Sequence, residues 1–148
     1  MKAILLLSVF SYFFAAYEAR IWSRCELAHY LKTSGLAAYS GYDLAHWICL
    51  IQHQSNFNTR TLIKRNSDGS SDYGLFQLNS RRWCKESNYS STNTCNTACS
   101  KFLDGNIDDD IRCAKKVVTE PNRMSAWVAW VRHCKGRNLS PYLASCNL

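Results

Sequence analysis

The stretch 47–79 concentrates residues whose types and spacing could act on a polar ligand. Apolar residues at 44–51 recur at helical spacing, which predicts a helix that ends near Gln54. The turn residues 66–69 lie between two β-permissive runs and predict a hairpin. A helix end and a hairpin that face one another form the walls of a cleft. The carboxylate of Asp72, in the hairpin, is then expected to face the side chain of Gln54.

A second group of candidate ligands is acidic. Four aspartates fall within seven residues, at Asp104, Asp108, Asp109 and Asp110. Clustered carboxylates repel one another unless a cation neutralises them, and calcium takes about six to eight oxygen ligands. The spacing and the lack of a terminal glutamate exclude an EF-hand. In a second interpretation, 108–110 only complement the positive end of the following helix, but this does not account for Asp104. We therefore expect a calcium site.

Helices and one short sheet must position these groups. Asp43 is expected to cap the second of four helices, and Gly35 to end the first. The turn-rich sequence at 59–80 predicts a small antiparallel sheet. Helices on both sides of one β segment indicate an α+β fold. The predicted helices are 24–33, 44–54, 108–119 and about 125–134.

The N-terminal sequence is typical of a secretory signal peptide. Lys2 supplies an early positive charge, an apolar run follows at 3–16, and Ala19 offers a small residue for cleavage. The apolar run is too short to span a bilayer, and the alternative is a buried N-terminal helix. We expect a signal peptide at 1–19, a single domain at 20–148 without a transmembrane segment, and a secreted, extracellular protein.

The cysteine count supports an oxidising compartment. An even number of cysteines behind a signal peptide indicates a disulfide framework, and the polar loop 83–98 would need such bridges to stay ordered. Eight cysteines allow about 105 pairings, so the spacing alone leaves the connectivity open. Zinc is the alternative, but no paired Cys-x-x-Cys pattern supports it. The cysteines are Cys25, Cys49, Cys84, Cys95, Cys99, Cys113, Cys134 and Cys146.

The chain is basic, with a formal net charge of +7. This charge favours attraction to anionic surfaces such as bacterial walls or acidic glycans. The basic residues are scattered and no nucleic-acid motif accompanies them, so no specific nucleic acid is expected. Asn88 and Asn138 begin sequons that permit glycosylation.

Several motifs together resemble the c-type lysozyme and α-lactalbumin family, most closely its calcium-binding lysozymes. They are Trp47-x-Cys49, Ser-Asn-Phe-Asn-Thr at 55–59, Asp-Tyr-Gly-Leu-Phe-Gln-Leu-Asn-Ser at 72–80, and Ala126-Trp127-x-x-Trp130. The resemblance covers the whole chain after the signal peptide. It implies a helical lobe and a small antiparallel β lobe with a cleft between them. It also implies four bridges, Cys25–Cys146, Cys49–Cys134, Cys84–Cys99 and Cys95–Cys113.

The same resemblance implies an active site with one unexpected residue. Lysozyme is itself the standard example of a glycosidase with two carboxylates in contrasting environments. Asp72 matches the ionised carboxylate, but Gln54 stands where the family has its proton-donating glutamate. Neither Glu86 nor Glu120 is an evident substitute. Because an amide has no proton to give, we predict that muramidase activity is very weak or absent.

The resemblance also implies residues that bind saccharide, in addition to the catalytic pair. Arg82, at a position often aromatic in active lysozymes, and Arg123, in place of a usual glycine, depart from the pattern and suggest an altered cleft. The residues expected to bind a peptidoglycan or chitooligosaccharide chain are Asn56, Gln77, Asn79, Trp83, Glu120, Ala126 and Trp127.

The acidic segment resembles the calcium elbow of α-lactalbumins and calcium-binding lysozymes. The ligands implied for one structural ion are the carboxylates of Asp104, Asp109 and Asp110, with the backbone carbonyls of Lys101 and Asn106.

Three functions remain open from the sequence. The first is a monomeric, calcium-binding lysozyme homologue that binds saccharide with little or no hydrolysis. The second is an active antibacterial lysozyme that cleaves β-1,4 bonds of peptidoglycan. The third is an α-lactalbumin-like regulator of a galactosyltransferase. His53 and the segment 101–104 resemble the third group, but the C-terminal segment lacks the Gln-Trp pair expected of it.

Overall fold

The computed structural model describes residues 18–64, 66–87 and 90–148. Within these ranges the chain forms four α-helices, a three-stranded sheet and four short 3₁₀ helices. The α-helices are α1 (Arg24–Thr33), α2 (Leu44–Ser55), α3 (Asp108–Thr119) and α4 (Val128–His133). The 3₁₀ helices are Tyr39–Gly41, Cys99–Leu103, Arg123–Ala126 and Ser140–Leu143.

Local signals account for the first two helices. Gly35 follows α1 with a φ of +83°, a left-handed conformation that stops the helix. The Asp43 side chain caps α2, because its carboxylate accepts hydrogen bonds from the backbone N–H groups of Ala45 at 3.1 Å and His46 at 3.4 Å. Both signals were predicted, and α2 extends one residue past the predicted end, to Ser55.

The predicted hairpin and antiparallel sheet are confirmed. Strands β1 (Leu62–Ile63), β2 (Asp72–Tyr73) and β3 (Leu78–Asn79) pair in that order. Asp72 lies opposite Asn79 in the register, so these two side chains share one face of the sheet. The turn at 66–69 is closed by a hydrogen bond from the Gly69 N–H to the Asn66 carbonyl at 2.8 Å.

The prediction of one continuous helix at about 125–134 is wrong. The chain forms a 3₁₀ helix, Arg123–Ala126, and then α4, with extended backbone at Trp127 (φ −99°, ψ 113°) between them. The break accompanies burial of the Trp127 indole, whose Nε1–H donates to the Phe76 carbonyl at 2.9 Å. Apolar spacing alone does not reveal such a tertiary hydrogen bond.

α2 lies at the centre of the core and contacts α1, α4 and the 3₁₀ helix Ser140–Leu143. It is buried along most of its length, with Trp47 and Ile48 fully enclosed. The Trp47 ring contacts Phe76 of the β lobe and Trp127 of the helical lobe, with ring centroids 6.1 and 6.3 Å away. One apolar core therefore joins the helices to the sheet, as expected of the α+β fold.

All four predicted disulfides are confirmed. Cys25–Cys146 joins the two ends of the domain, and Cys49–Cys134 ties α2 to the end of α4. Cys84–Cys99 and Cys95–Cys113 fasten the long polar segment to itself and to α3. None of the described cysteines is left for a zinc site.

Two predictions concern residues outside the described ranges. The predicted signal peptide lies outside the described ranges, except for Glu18 and Ala19. The sequon residue Asn88 also lies outside them. Among the described residues, no helix has both the length and the apolar character needed to cross a membrane.

Gly74 is expected to be intolerant of any side chain. Its φ is +77°, and a Cβ there would lie 2.1 Å from the Phe102 carbonyl oxygen. Gly74→Ala should lower the free energy of unfolding by about 3 kcal/mol, because the strained backbone and the steric overlap add to each other. Denaturant titration followed by circular dichroism measures this change.

Gly136→Ala is the matched control. Its φ is +70°, but nothing lies within 4 Å of a Cβ at this position. This variant should lose only about 1 kcal/mol, the cost of the left-handed backbone. Equal losses in the two variants would contradict the close approach of Phe102 to Gly74.

Candidate functional site

A cleft of about 330 Å³ lies between the sheet and the helical lobe. One wall, from the β lobe, consists of Ile63, Asp72, Gln77, Asn79 and Trp83. The other, from the helical lobe, consists of Gln54, Val117, Ala126, Trp127, Val128 and Ala129. The structure therefore brings six of the eight side chains expected to bind saccharide or to stand at the general-acid position into one cleft: Gln54, Gln77, Asn79, Trp83, Ala126 and Trp127.

Gln54 occupies the last turn of α2 and is half-buried. Its Nε2 amide donates a hydrogen bond to the Phe76 carbonyl at 3.2 Å. The next residue, Ser55, donates from Oγ to the Leu75 carbonyl at 2.7 Å. These contacts hold the end of α2 against the turn that leads into β3. An ionised carboxylate at residue 54 would have no proton to donate to the Phe76 carbonyl, whereas the amide does.

Trp127 closes the cleft beside Gln54. Its indole is 6% exposed and donates to the same Phe76 carbonyl. The apolar ring excludes water from that side of Gln54, and a carboxyl group placed there would favour its neutral form. The site thus retains the surroundings that a general acid requires, while an amide replaces the acid.

Asp72 is oriented by two amides. Asn79 donates from Nδ2 to Asp72 Oδ1 at 2.8 Å, and Asn66 donates from Nδ2 to Oδ2 at 3.1 Å. Asn79 also donates to the Ser70 hydroxyl at 2.9 Å. These hydrogen bonds fix the positions of both carboxylate oxygens of Asp72 in the cleft. Asn66 is a functional neighbour that the sequence analysis did not single out, except as a turn residue.

Gln77 and Trp83 support the cleft in different ways. Gln77 has a φ of +53° and donates from Nε2 to the carbonyls of Thr61 and Gly74 at 3.0 and 2.9 Å. Its Oε1 is buried without a hydrogen-bond partner. The amide N–H groups of Gln77 therefore hold the loop beside the cleft. Trp83 is 7% exposed, so it lines the cleft with a limited part of its ring.

Two predicted saccharide residues lie outside the cleft lining. Asn56 is exposed and ends α2 in a left-handed conformation, with φ +49°. Glu120 caps the C-terminus of α3 and forms an ion pair with Arg82, with Oε2 and Nη2 2.8 Å apart. Arg82 adjoins Trp83 of the β-lobe wall, so this pair connects the two walls at the rim of the cleft. The sequence analysis did not predict this ion pair.

Arg123 lies away from the cleft lining. Its guanidinium donates to the Ser40 carbonyl and hydroxyl and lies 5.1 Å from the centre of the Tyr42 ring. These contacts give no support to the expectation that Arg123 alters the cleft.

The acidic segment surrounds a second cavity, of about 690 Å³. Lys101, Asp104, Asn106 and Asp109 line it, which places four of the five predicted calcium ligands together. The Asp104 Oδ1 accepts from the Asn106 N–H at 3.1 Å, and the Asp109 Oδ1 accepts from the Asp110 N–H at 3.0 Å. Burial and the neighbouring Asp109 raise the pKa of Asp104.

Asp110 is the fifth predicted ligand and is fully buried. Neither of its carboxylate oxygens has a hydrogen-bond partner. Burial, followed by the adjacent Asp109 carboxylate, raises the pKa of Asp110 well above its ordinary value. A buried carboxylate without a partner is costly unless it is neutralised, so the donor set fits a hard cation.

The side chains alone do not form a complete metal site. Within the described ranges, no group of three or more histidine, cysteine, aspartate or glutamate side chains could hold a metal ion. Two of the five predicted ligands, Lys101 and Asn106, would act through backbone carbonyls, which such a group does not include. The carboxylates of Asp104 and Asp109 would have to turn from their local backbone partners towards an ion.

Comparisons with known proteins agree with this arrangement. Residues 20–146 match the model of the C-type lysozyme/alpha-lactalbumin family. Lysozyme C, milk isozyme, of Canis lupus familiaris is 64% identical over 129 residues, which cover 87% of this chain and 100% of the relative. The milk isozyme of Equus caballus is 59% identical with the same coverage.

Solved structures give the same result. The apo-type crystal structure of canine milk lysozyme superposes with a TM-score of 0.85 at 64% identity, and covers 87% of this chain and 100% of that one. The lysozyme of Equus asinus superposes with a TM-score of 0.84 at 59% identity and the same coverage. The chain therefore belongs to the C-type lysozyme/α-lactalbumin family.

Proposed function

We propose that this chain is a secreted, calcium-binding lysozyme homologue that binds a β-1,4-linked, peptidoglycan-type or chitooligosaccharide glycan and hydrolyses it weakly or not at all. One observation carries the proposal. The lining of one cleft contains an oriented carboxylate, Asp72, together with Gln54, whose amide donates to the Phe76 carbonyl.

The catalytic argument depends on which residue can donate a proton to the leaving oxygen. Cleavage of a glycosidic bond needs a group that donates a proton to the leaving oxygen and a carboxylate that stabilises or attacks the anomeric carbon. Asp72 can perform the second role. Gln54 cannot perform the first, and general acid catalysis contributes about 10²–10⁴-fold to the rate.

The saccharide argument rests on the lining. Aromatic surface at Trp83 and Trp127 can pack on a sugar face, and Asn79 can bond its polar groups. The exposed ion pair between Arg82 and Glu120 connects the walls at the rim. Since an exposed pair contributes only about 0–1 kcal/mol, a glycan can displace it.

Calcium would be held by the carboxylates of Asp104, Asp109 and Asp110 and by the carbonyls of Lys101 and Asn106. The buried, unpartnered oxygens of Asp110 support this assignment. Bound calcium would neutralise the acidic segment and stabilise the fold, and it would take no part in hydrolysis. Canine milk lysozyme has been solved in an apo-type and a holo-type form, so that relative takes a ligand.

The second candidate function is that of an active lysozyme. The relatives at 64% and 59% identity are lysozymes by name, which favours this candidate. Against it, the cleft lining contains one carboxylate, Asp72, and no second acid. A regulatory role on a galactosyltransferase has no comparable support from these relatives, and a lactose-synthase assay tests it.

Replacement of Gln54 by glutamate should restore hydrolysis. A carboxyl group at this position would face the Phe76 carbonyl beside the buried Trp127, and both favour the protonated form that a general acid needs. We expect the Gln54→Glu variant to lyse cell walls about 10²–10⁴ times faster than the native protein. The measurement is turnover of peptidoglycan, with a soluble chitooligosaccharide as a second substrate.

Gln52→Glu is the matched control, because it adds the same charge to α2 but does not line the cleft. It should leave activity unchanged, and Gln54→Glu combined with Asp72→Asn should be inactive. If the native protein already turned over at a rate similar to that of Gln54→Glu, the proposed role of Gln54 would be wrong. If neither turned over, the loss would extend to other parts of the cleft.

Calcium should stabilise the folded protein, and Asp110 should be required for the effect. At a calcium concentration about 100 times Kd, the free energy of unfolding should rise by about 2.7 kcal/mol. Asp110→Asn should abolish this rise. In chelator, Asp110→Asn should also be more stable than the native protein, because it removes a buried and unpartnered charge. Thermal unfolding with calcium or chelator measures both effects.

Asp108→Asn is the control for this experiment. It removes the same charge from the first turn of α3, but Asp108 accepts a hydrogen bond from the Tyr30 hydroxyl and is not among the expected ligands. It should keep the calcium response. An unchanged response in Asp110→Asn would overturn the calcium assignment.

A further inference from the structure

A depression of about 510 Å³ opens beside the end of α2, apart from the cleft and from the cavity at the acidic segment. It shares no lining residue with the cleft. α2 contributes His53 to it, whereas the next residue, Gln54, belongs to the cleft. Neither the catalytic proposal nor the calcium proposal uses this depression. Its other polar side chains come from α1, from the end of α4 and from the C-terminal segment.

The lining is basic and contains no carboxylate. Arg24 and Arg137 supply two permanent positive charges, and His53 and His133 supply two imidazoles. The remaining lining residues carry no charge. Most protein surfaces intersperse opposite charges, so a depression lined by cationic groups alone has an unbalanced positive potential.

The two imidazoles are stacked face to face. Their ring centroids are 4.1 Å apart and their planes differ by 6°. His53 Nε2 also lies 3.1 Å from the Tyr142 hydroxyl, which fixes the orientation of the His53 ring. The two imidazoles therefore lie close enough together to contact a single bound group.

Both guanidinium groups are held in place by backbone carbonyls. Arg24 donates to the Tyr142 carbonyl at 2.7 Å and to the Ala144 carbonyl at 2.8 Å. Arg137 donates from Nη2 to the Arg132 carbonyl at 2.9 Å. These bonds orient the arginines without neutralising them, because a carbonyl carries no net charge. A ligand anion would then pay little for ordering these side chains.

The described neighbours of the His53 imidazole in the depression are neutral or positively charged. His53 is in contact with His133 and Tyr142, and Arg24 and Arg137 line the same depression. Burial lowers the pKa of His53 most, followed by the charges of His133 and Arg137. A bound anion would reverse that balance, because it would favour the charged imidazole.

We propose that this depression is a binding site for a tetrahedral oxyanion, the phosphate or sulfate group of a monoester. The arginines supply fixed charge, and the His53 imidazole takes up a proton as the anion binds. Since proton uptake accompanies binding, the affinity rises as the pH falls through the ordinary titration range of histidine. The site is separate from the cleft, so it can be occupied whether or not the cleft hydrolyses a glycan.

Histidine ring signals in a nuclear magnetic resonance titration test the proposal. The chain is produced without N-glycosylation, because the sequon residue Asn138 also lines the depression. Glycerol 3-phosphate is the phosphate probe and N-acetylglucosamine 6-sulfate the sulfate probe, at about pH 5.5 and about pH 7.5. Saturable shifts of the His53 and His133 signals are expected with both probes. For the sulfate, whose charge is constant over this range, the affinity should be at least about fivefold higher at the lower pH. Comparison of the two probes tells which ester is preferred.

Two variants distinguish a specific anion site from diffuse attraction to a basic protein. Arg137→Ala removes an arginine from the lining, and Lys135→Ala removes the same charge two residues away, outside the lining. Arg137→Ala should weaken binding at least about fivefold, and Lys135→Ala less than about twofold. His53→Gln should keep the protein folded, since this residue is exposed, and should remove most of the pH dependence.

Three results would overturn the proposal. One is the absence of saturable shifts with both probes at the lower pH. Another is an equal loss of affinity in Arg137→Ala and Lys135→Ala, which would indicate diffuse attraction to a basic protein. The third is unchanged pH dependence in His53→Gln, which would exclude the imidazole pair from the site.

Discussion

The backbone carbonyl of Phe76 is the point at which the two lobes of this protein are joined. It accepts hydrogen bonds from Gln54 at the end of α2 and from Trp127, which lies between the 3₁₀ helix Arg123–Ala126 and α4. Ser55 adds a bond to the neighbouring Leu75 carbonyl. Because these donors are buried or half-buried, loss of any of them would leave a polar group unsatisfied at the base of the cleft. The shape of the cleft depends on this junction.

The junction explains how an amide can replace an acid without loss of structure. A protonated glutamic acid at residue 54 could donate to the Phe76 carbonyl, and so can the Gln54 amide. Packing against Trp127 and the orientation of Asp72 by its two amide donors do not depend on which of them is present. Under the proposed function, Gln54 lacks the proton that a general acid donates but keeps the hydrogen bond that the fold uses.

Charge is distributed unevenly over the rest of the molecule. The acidic segment buries Asp110 without a partner, whereas the depression around His53 collects cationic groups without an acid. Both arrangements cost stability, and four disulfides together with the core around Trp47 offset that cost. Unbalanced charge that the fold tolerates at two separate places is the physical basis for proposing a cation at one and an oxyanion at the other.

The sequence by itself determined the parts of this protein that depend on neighbouring residues and on family motifs. The Asp43 cap, the hairpin, the bounds of α1 and α3 and, through the resemblance, the disulfide pairs were all predictable. Only the tertiary structure decided the break at Trp127, the ion pair of Arg82 with Glu120 and the stacked imidazoles of His53 and His133. Each of these joins residues far apart in the chain, and its geometry follows from how whole elements pack, so no local pattern of charge or apolar spacing encodes it.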